Sequence, residues 1–202
     1  MKEFNIVLAG VGGQGILLAA EILGTAALKD GLNVRMSEIH GMAQRGGAVT
    51  SHVRVGRSVL APTVLEGRAD ILLGFEPLET LRNLKYASEK TVVIISDEKM
   101  PPPGLISEST RYPSMSEIFK KIHTFTKKVL IVETTRLSAE AGNTLTQNIV
   151  LIGALVAIVA TEKLPVKRKC VVQAIKELVP SRYVETNIRA FDLGYNYVKG
   201  KD

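Results

Sequence analysis

The 202-residue sequence predicts an α/β fold, namely a Rossmann-like, mostly parallel sheet with helices on both faces and a β-hairpin excursion after the second strand. Three observations predict it. Short apolar runs alternate with longer helical segments, a glycine-rich turn joins the first run to the first helix, and a segment of alternating polarity follows the second run. We expect residues 1–202 to form one domain whose final third, from about residue 137, is helical.

The strands are predicted from short apolar runs, which are typical of a parallel sheet covered on both faces, and from one alternating run. The alternating run, 48–55, predicts a strand whose wet face carries His52 and Arg54. A satisfied or exposed histidine of the sheet explains His52 at least as well as a functional role does. Residues 57–62 then predict a turn and a short strand, as in a hairpin. The strands are predicted at 5–9, 32–36, 48–55, 69–75, 91–96 and 128–133.

The helices are predicted from apolar positions at helical spacing and from their stop signals. The first helix ends at Lys29-Asp30-Gly31, where a cation and a glycine suit a helix C-terminus. Gly142-Asn143 provides a second stop signal, and the prolines of 101–103 exclude a helix there. The helices are predicted at 16–28, 78–87, 114–125, 137–141, 144–160, 164–178 and 185–197.

A glycine-rich turn at residues 10–15 is the first candidate binding site. It matches G-x-G-x-x-G, follows a predicted strand and precedes a predicted helix, which is the context that this short motif requires. Unpaired N–H groups at such a helix N-terminus favour phosphate. The candidate binding residues of the turn are Gly10, Gly12, Gly13, Gln14 and Gly15.

A polar, glycine-rich loop at residues 38–47 is the second candidate. Its glycines allow a close approach of the backbone to a ligand, and Arg45 would donate to phosphate or carboxylate. A tight surface connection in which Arg45 and Glu38 pair is the simpler explanation of this loop. The candidate binding residues of the loop are Glu38, His40, Gln44, Arg45, Gly46 and Gly47.

The two candidates together permit an ordinary NAD or FAD site, because Glu38 ends the second predicted strand, near where a dinucleotide fold keeps the acid that binds ribose. The loop after Glu38 argues against that function, since it would crowd the adenosine side of the cleft. Two other polar residues are candidates for the same region. Glu76 either faces this cleft or complements a helix N-terminus, and Asn148 either ties its helix to a loop or meets a ligand.

An ordered series of motifs resembles the gamma domain of the 2-oxoacid:ferredoxin oxidoreductases. The most specific motif is His-Gly-Met-Ala-Gln-Arg-Gly-Gly at residues 40–47, and the series covers nearly the whole chain. The motifs stand at residues 10–15, 38–47, 51–56, 69–77, 142–143, 148–154 and 190–195. Within the family, the indolepyruvate-oxidising enzymes are the most similar.

The resemblance implies oxidative decarboxylation of a 2-oxoacid with thiamine diphosphate, coenzyme A, iron–sulfur clusters and ferredoxin. It favours indolepyruvate and other aryl pyruvates, with pyruvate, 2-oxoglutarate and branched-chain 2-oxoacids as alternatives. In such enzymes the gamma domain is associated with coenzyme A and with closing the active site. The resemblance therefore implies that Gly12–Gly15 and Gln44–Gly47 bind coenzyme A or shape the active site shared with the partner. It implies that Glu38 and His40 orient the loop.

Composition constrains what this chain can supply by itself. An iron–sulfur cluster needs about four thiolates, and the chain has one cysteine, Cys170. The chain also lacks the G-D-G…N pattern of thiamine diphosphate sites in this family. Thiamine diphosphate and the clusters are therefore expected on a large partner subunit, so that this chain is inactive alone. No catalytic residue and no metal ligand is assigned.

Composition also bears on partners and location. The net charge of +6 lies in separate basic clusters without a nucleic-acid motif, so nucleic acid is not an expected partner. A cytoplasmic location is expected, because no signal peptide is visible and the longest apolar run, 149–160, is too short for a bilayer. The competing functions are a free-standing NAD- or FAD-dependent oxidoreductase and a non-catalytic assembly module.

Overall fold

The computed structural model describes residues 3–41, 46–101, 111–162 and 166–200, without the side chains of 159–162. Its strands are β1 (Phe4–Val11), β2 (Asn33–His40), β3 (Ala48–Gly56), β4 (Ile71–Gly74), β5 (Val92–Ser96) and β6 (Val129–Val132). Its helices are α1 (Ile16–Lys29), α2 (Pro77–Arg82), α3 (Met115–Ile122), α4 (Thr134–Ala141), α5 (Gln147–Glu162), α6 (Arg168–Leu178) and α7 (Val184–Lys199). Short 3-10 turns lie at Leu84–Tyr86, Thr144–Thr146 and Ser181–Tyr183.

These strands form one six-stranded sheet in the order β2-β3-β1-β4-β5-β6. β1, β4, β5 and β6 are parallel to one another, whereas β3 runs antiparallel to both of its neighbours, β1 and β2. The predicted α/β class, with a mostly parallel sheet and a hairpin excursion, is confirmed. β3 lies between β1 and β2, so the second strand of the chain becomes an edge of the sheet.

The prediction that residues 57–62 form a short strand of the hairpin is wrong. β3 pairs with β2 on one side, where Ser37 lies opposite His52, and with β1 on the other, where Val7 lies opposite His52. Because both edges of β3 are already paired, no edge is left for a following strand. Residues 57–62 instead continue as an irregular segment.

The wet face predicted for β3 is also wrong. His52 is fully buried beneath the segment that follows β3: its Nδ1 accepts a hydrogen bond from the Val64 N–H at 2.9 Å, and its ring meets the Tyr86 ring edge-on at 4.9 Å. Arg54, on the same face, donates to Ala61 O at 2.8 Å and pairs with Glu3. The contacts of Nδ1 and of the ring therefore support a structural role for His52, while its Nε2 is buried without a partner among the described residues.

Helices cover both faces of the sheet. α1, α4, α5, α6 and α7 pack with one face into the larger core, and α3 packs with the other face together with the 3-10 turn at Leu84–Tyr86. α5 and α7 approach each other through Gly153 and Gly194. A Cβ atom on Gly153 would lie 2.1 Å from Phe191 O, and one on Gly194 would lie 2.0 Å from Val150 O. The backbones of α5 and α7 can therefore approach each other this closely only with glycine at both positions.

We predict that Gly194→Ala lowers the free energy of unfolding by about 3 kcal/mol, because the added methyl group overlaps backbone that cannot move without shifting a helix. Chemical denaturation monitored by circular dichroism measures the change. Gly200→Ala is the matched control, since a Cβ there meets nothing nearer than Asn196 O at 3.5 Å. Equal stabilities of the two variants would contradict the prediction.

We further predict that His52 makes stability depend on pH. Burial, followed by the charges of Lys85 and Arg54, lowers the pKa of His52 below its usual value of 6.5. Between the lowered pKa and about pH 6.5, His52 is therefore protonated in the unfolded chain and neutral in the folded chain. The contribution of His52 to the free energy of unfolding is fully present above about pH 6.5 and is lost as the pH falls toward the lowered pKa. The expected slope is at most about 1.4 kcal/mol per pH unit.

Denaturation at pH 7.0, 6.0 and 5.5 measures this slope in the wild type, in His52→Gln and in His123→Gln. The first variant should flatten the slope, whereas the second, at an exposed histidine, should keep it. Burial raises the pKa of Glu79, so this residue changes stability with pH in the opposite direction to His52. Its contribution is the same in the wild type and in both variants. An unchanged slope in His52→Gln would show that another group controls the pH dependence.

Candidate functional site

The glycine turn between β1 and α1 has the geometry that its sequence predicts. Gly13 has φ of 109° and Gly15 has φ of 72°, both in the left-handed region that side chains disfavour. The first intrahelical bond runs from the Ala19 N–H to Gly15 O at 3.0 Å. The N–H groups of residues 16–18 therefore precede the helical ladder and lie at the positive end of the helix dipole. This arrangement suits an anion.

The Gln14 side chain braces the turn. Its Oε1 accepts from the Val11 N–H at 2.8 Å, and its Nε2 donates to Phe75 O at 3.0 Å. The chain leaves β1 toward one face of the sheet and β4 toward the other, so the crevice between their carboxyl ends is a topological switch point. Gln14 spans that crevice with both ends of its amide engaged. A contact between Gln14 and a ligand stays a prediction.

Gly10 serves close packing inside β1. A Cβ atom there would lie 2.7 Å from both Phe75 Cβ and Gln14 Oε1. Gly10 thus lets the brace and the residue after β4 approach the strand. A ligand contact at Gly10 stays a prediction, and Gly10 does not line either of the two clefts described below.

The hairpin loop is anchored on the glycine turn. The Gly12 N–H donates to Gly47 O at 2.9 Å, and the Gly41 N–H closes the loop by donating to Ala48 O at 2.8 Å. Gly46 has φ of 74°, which again requires glycine. The structure therefore places Gly46 and Gly47 beside Gly12, as a binding site formed by both the glycine turn and the hairpin loop requires. Gln44 and Arg45 lie outside the described residues.

Glu38 is not where an ordinary dinucleotide fold keeps its ribose-binding acid. β3 separates β2 from β1, which places Glu38 one strand spacing, about 5 Å, farther from β1 than in that fold. Within β2, Glu38 Oε2 pairs with His40 Nε2 at 3.3 Å, and both side chains are partly exposed. His40 faces the same cleft as Gly12 and Gly13. The Glu38–His40 pair thus lies near the glycine turn, on the side that faces the hairpin.

Two clefts flank the turn, and they share Gly13, Gly15 and Leu18. The hairpin cleft, of about 640 Å³, is formed by the turn, the start of α1 and the hairpin. Its described lining consists of Val11, Gly12, Gly13, Gly15, Ile16, Leu17, Leu18, His40, Gly41 and Val49. The interhelix cleft, of about 400 Å³, lies on the other side of the turn, between α1, the ends of β4 and β5, and the starts of α5 and α7.

Glu76 and Asn148 have structural partners. Glu76 is fully buried and caps α2, where Oε2 accepts from the Glu79 N–H at 2.8 Å, and Oε1 accepts from the Tyr112 hydroxyl. Burial and this carboxylate raise the pKa of Tyr112. The helix-capping alternative for Glu76 is therefore supported. Asn148 Nδ2 donates to Gly15 O at 3.2 Å and also lines the interhelix cleft, so it ties α5 to the glycine turn.

Sequence reasoning missed three polar residues of the interhelix cleft: Glu98, Gln147 and Asn187. Glu98 follows the carboxyl end of β5, where open α/β sheets place ligands, so that rule alone was enough to single it out. Gln147 begins α5 and Asn187 lies in the first turn of α7. No local pattern indicates that two such helices meet beside the glycine turn.

Two further properties concern only the part of the chain that the structure describes. No group of three or more histidine, cysteine, aspartate or glutamate side chains in these ranges is arranged to hold a metal ion. No helix in the same ranges is both long and apolar enough to cross a bilayer.

Similarity to known proteins extends along the chain. It is 44% identical over 200 residues to the indolepyruvate oxidoreductase subunit IorB of Pyrococcus horikoshii, which covers 98% of each chain. The pyruvate oxidoreductase subunit PORC of Thermotoga maritima has the same fold, with a TM-score of 0.72, 21% identity and coverage of 97% of each chain.

The fold also occurs within a longer chain, that of 2-oxoglutarate:ferredoxin oxidoreductase from Magnetococcus marinus. Its TM-score is 0.69 at 15% identity, and the match covers 99% of this chain but 32% of that one. The family model described as pyruvate ferredoxin/flavodoxin oxidoreductase matches residues 5–197. The chain therefore belongs to the pyruvate ferredoxin/flavodoxin oxidoreductase family, which confirms the resemblance that its motifs indicated.

Proposed function

We propose that this chain is the small subunit of a coenzyme A-dependent 2-oxoacid:ferredoxin oxidoreductase that converts indolepyruvate and related aryl pyruvates to acyl-CoA while ferredoxin is reduced. The observation that carries the proposal is the match along nearly the whole chain to a relative named for indolepyruvate oxidation. Pyruvate, 2-oxoglutarate and branched-chain 2-oxoacids are the alternative substrates, since a more distant relative is a subunit common to pyruvate and ketoisovalerate oxidoreductases.

The proposal divides the chemistry between two subunits. The single cysteine of this chain, Cys170, is buried in α6 and holds its sulfur 3.9 Å from Asp30 Oδ1. One thiol cannot ligate an iron–sulfur cluster. The clusters therefore belong to a large alpha subunit, which also holds thiamine diphosphate and passes electrons to ferredoxin. The occurrence of this fold as a third of a longer chain in a relative supports such a partner. We place the complex in the cytoplasm.

The part of this chain in the reaction is to bind and position. The N–H groups of the glycine turn and the guanidinium of Arg45 suit the phosphates of coenzyme A. Gly12, Gly13 and Gly15 offer backbone rather than side chains, which allows a close approach, and Gln14 holds the turn in shape. Glu38 and His40 orient the hairpin loop from β2. Positioning of this kind leaves the bond-breaking steps to the cofactors of the partner.

One feature favours this function over a free-standing NAD or FAD site. β3 separates the edge strand that carries Glu38 from β1, so no acid of β2 lies at the ribose position. An assembly module without a part in turnover remains the competing explanation, and the Arg45 experiment below separates it.

The first experiment assays 2-oxoacid-dependent ferredoxin reduction by this chain, by its co-expressed large subunit and by both together, each with and without coenzyme A. We expect activity only in the mixture, only with coenzyme A, and highest with indolepyruvate. A chain that binds NAD or FAD tightly by itself, or that is active alone, would contradict the proposal.

We predict that Arg45→Ala raises the KM for coenzyme A about tenfold in the two-subunit enzyme, because a charge-assisted hydrogen bond to phosphate contributes about 1.5 to 3 kcal/mol. The KM for the 2-oxoacid and the assembly of the complex should not change. Arg57→Ala is the matched control, since Arg57 is exposed just beyond the end of β3 that lies away from the glycine turn. An intact Arg45→Ala complex with unchanged kinetics would favour the assembly module.

A further inference from the structure

A group of lysines lies at the end of the sheet where β5 and β6 begin. It borders a cleft of about 560 Å³, whose described lining includes Lys120, Phe125 and Lys127. Glu89 is the one acidic residue of that described lining. Five exposed lysines line the cleft or lie next in sequence to a residue that lines it, and together with Phe125 we call them the basic patch. These lysines are Lys90, Lys120, Lys121, Lys127 and Lys128.

The backbone beneath the basic patch is held against the sheet. Thr126 is buried, and its hydroxyl donates to Thr91 O at 2.8 Å, just before β5 begins. The Val93 N–H donates to Lys128 O at 2.8 Å, just before β6 begins. α3 is anchored beside these segments by Ile122, which is fully buried. The lysines therefore extend from a fixed framework at the amino ends of two strands.

Contacts within the chain account for only part of this positive charge. Lys127 Nζ donates to His123 O at 3.1 Å, one residue beyond the end of α3. Lys120 and Lys121 lie in the last turn of α3, where cations suit the helix dipole. Neither of these two, nor Lys90, forms an ion pair with a residue that the structure describes. The basic patch therefore presents uncompensated charge to a partner.

The composition of the basic patch fits a protein that binds briefly. Lysine is depleted from the buried centre of stable interfaces, because its strongly hydrated ammonium group is costly to bury. Clustered surface charge instead attracts an oppositely charged protein and raises its rate of association. Phe125, which is 39% exposed among the lysines, offers an apolar contact at the centre of such an encounter. The matching partner is a protein with an acidic surface.

The proposed reaction includes one protein that must bind and leave in each turnover, and that protein is ferredoxin. The 2-oxoacid and coenzyme A are small molecules, and the large subunit stays assembled. β1, β4, β5 and β6 are parallel, so the basic patch lies at the opposite end of the sheet from the glycine turn. A strand of five residues separates these ends by about 17 Å. A protein on the basic patch therefore leaves the glycine turn accessible.

We propose that the basic patch is a docking surface for an acidic ferredoxin. This inference rests on the proposed function, because it takes ferredoxin as the electron acceptor of the complex. It gives this chain a second part in the reaction, which is to attract the acceptor protein by charge.

The test uses the two-subunit enzyme with ferredoxin and with methyl viologen, a small acceptor that needs no protein docking surface. Lys120→Glu combined with Lys121→Glu reverses two charges of the basic patch. We expect kcat/KM for ferredoxin to fall about tenfold at low ionic strength, since electrostatic steering raises association rates by about 10- to 1,000-fold. The loss should shrink in about 1 M salt, where the Debye length is about 3 Å. Turnover with methyl viologen and assembly of the complex should not change.

Two further variants complete the comparison. Lys120→Gln combined with Lys121→Gln removes the charges without placing acids at a helix C-terminus, and it should cause a smaller loss in the same direction. Lys169→Glu combined with Lys176→Glu is the matched control, because it makes the same change of net charge at exposed positions of α6. α6 packs on the other face of the sheet from α3, so this control should keep its kinetics with ferredoxin.

Unchanged kinetics with ferredoxin in the Lys120→Glu, Lys121→Glu variant would overturn the inference, and so would an equal loss in the α6 control. A variant complex that no longer assembles would overturn it as well, since the basic patch would then belong to the interface with the large subunit. Nucleic acid is another acidic macromolecule. If single-stranded RNA binds the wild-type complex through these lysines while the kinetics with ferredoxin do not depend on them, the assignment to ferredoxin is overturned.

The same assays separate this inference from the proposed function. A wild-type complex that oxidises 2-oxoacids with methyl viologen but does not reduce ferredoxin would refute the proposed function itself. A complex that reduces ferredoxin and whose basic-patch variants keep the wild-type kinetics would refute the docking surface alone.

Discussion

The antiparallel insertion of β3 between β1 and β2 is the constraint on which the rest of the site depends. Pairing on both edges satisfies the backbone of β3 and moves β2 to the margin of the sheet. The hairpin that joins β2 to β3 must then return to the carboxyl end of β1. There Gly47 O accepts from the Gly12 N–H, so the loop and the glycine turn become one structure. The same insertion carries Glu38 away from the position of a ribose-binding acid.

Gln14 bridges two strand ends beside the glycine turn. In a parallel sheet with a switch point, the crevice between two strand ends is the usual place for a ligand. Here the amide of Gln14 spans that crevice, since it accepts from the Val11 N–H and donates to Phe75 O. Two clefts lie on either side of the turn and meet at Gly13 and Gly15. Both are largely apolar, and the interhelix cleft also carries amides and one carboxylate.

The packing of α5 against α7 places the starts of these helices at the interhelix cleft. α5 and α7 cross closely because Gly153 and Gly194 let their backbones approach each other. The first turns of both helices line the interhelix cleft, and Asn148 of α5 donates to Gly15 O at the start of α1. The helical C-terminal third is therefore a wall of the candidate site as well as a cover for the sheet.

The sequence by itself determined the features that depend on neighbouring residues. The strand, turn and helix around Gly12–Gly15 follow from glycine at positive φ and from apolar runs, and the buried strands follow from composition alone. The motifs also determined the family. Only the tertiary structure decided the order of the strands, the burial of His52, the brace formed by Gln14 and the presence of Gln147 and Asn187 in one cleft. These features join residues that are far apart in the chain, and hydrophobic periodicity encodes which face of an element is buried but not which element covers it.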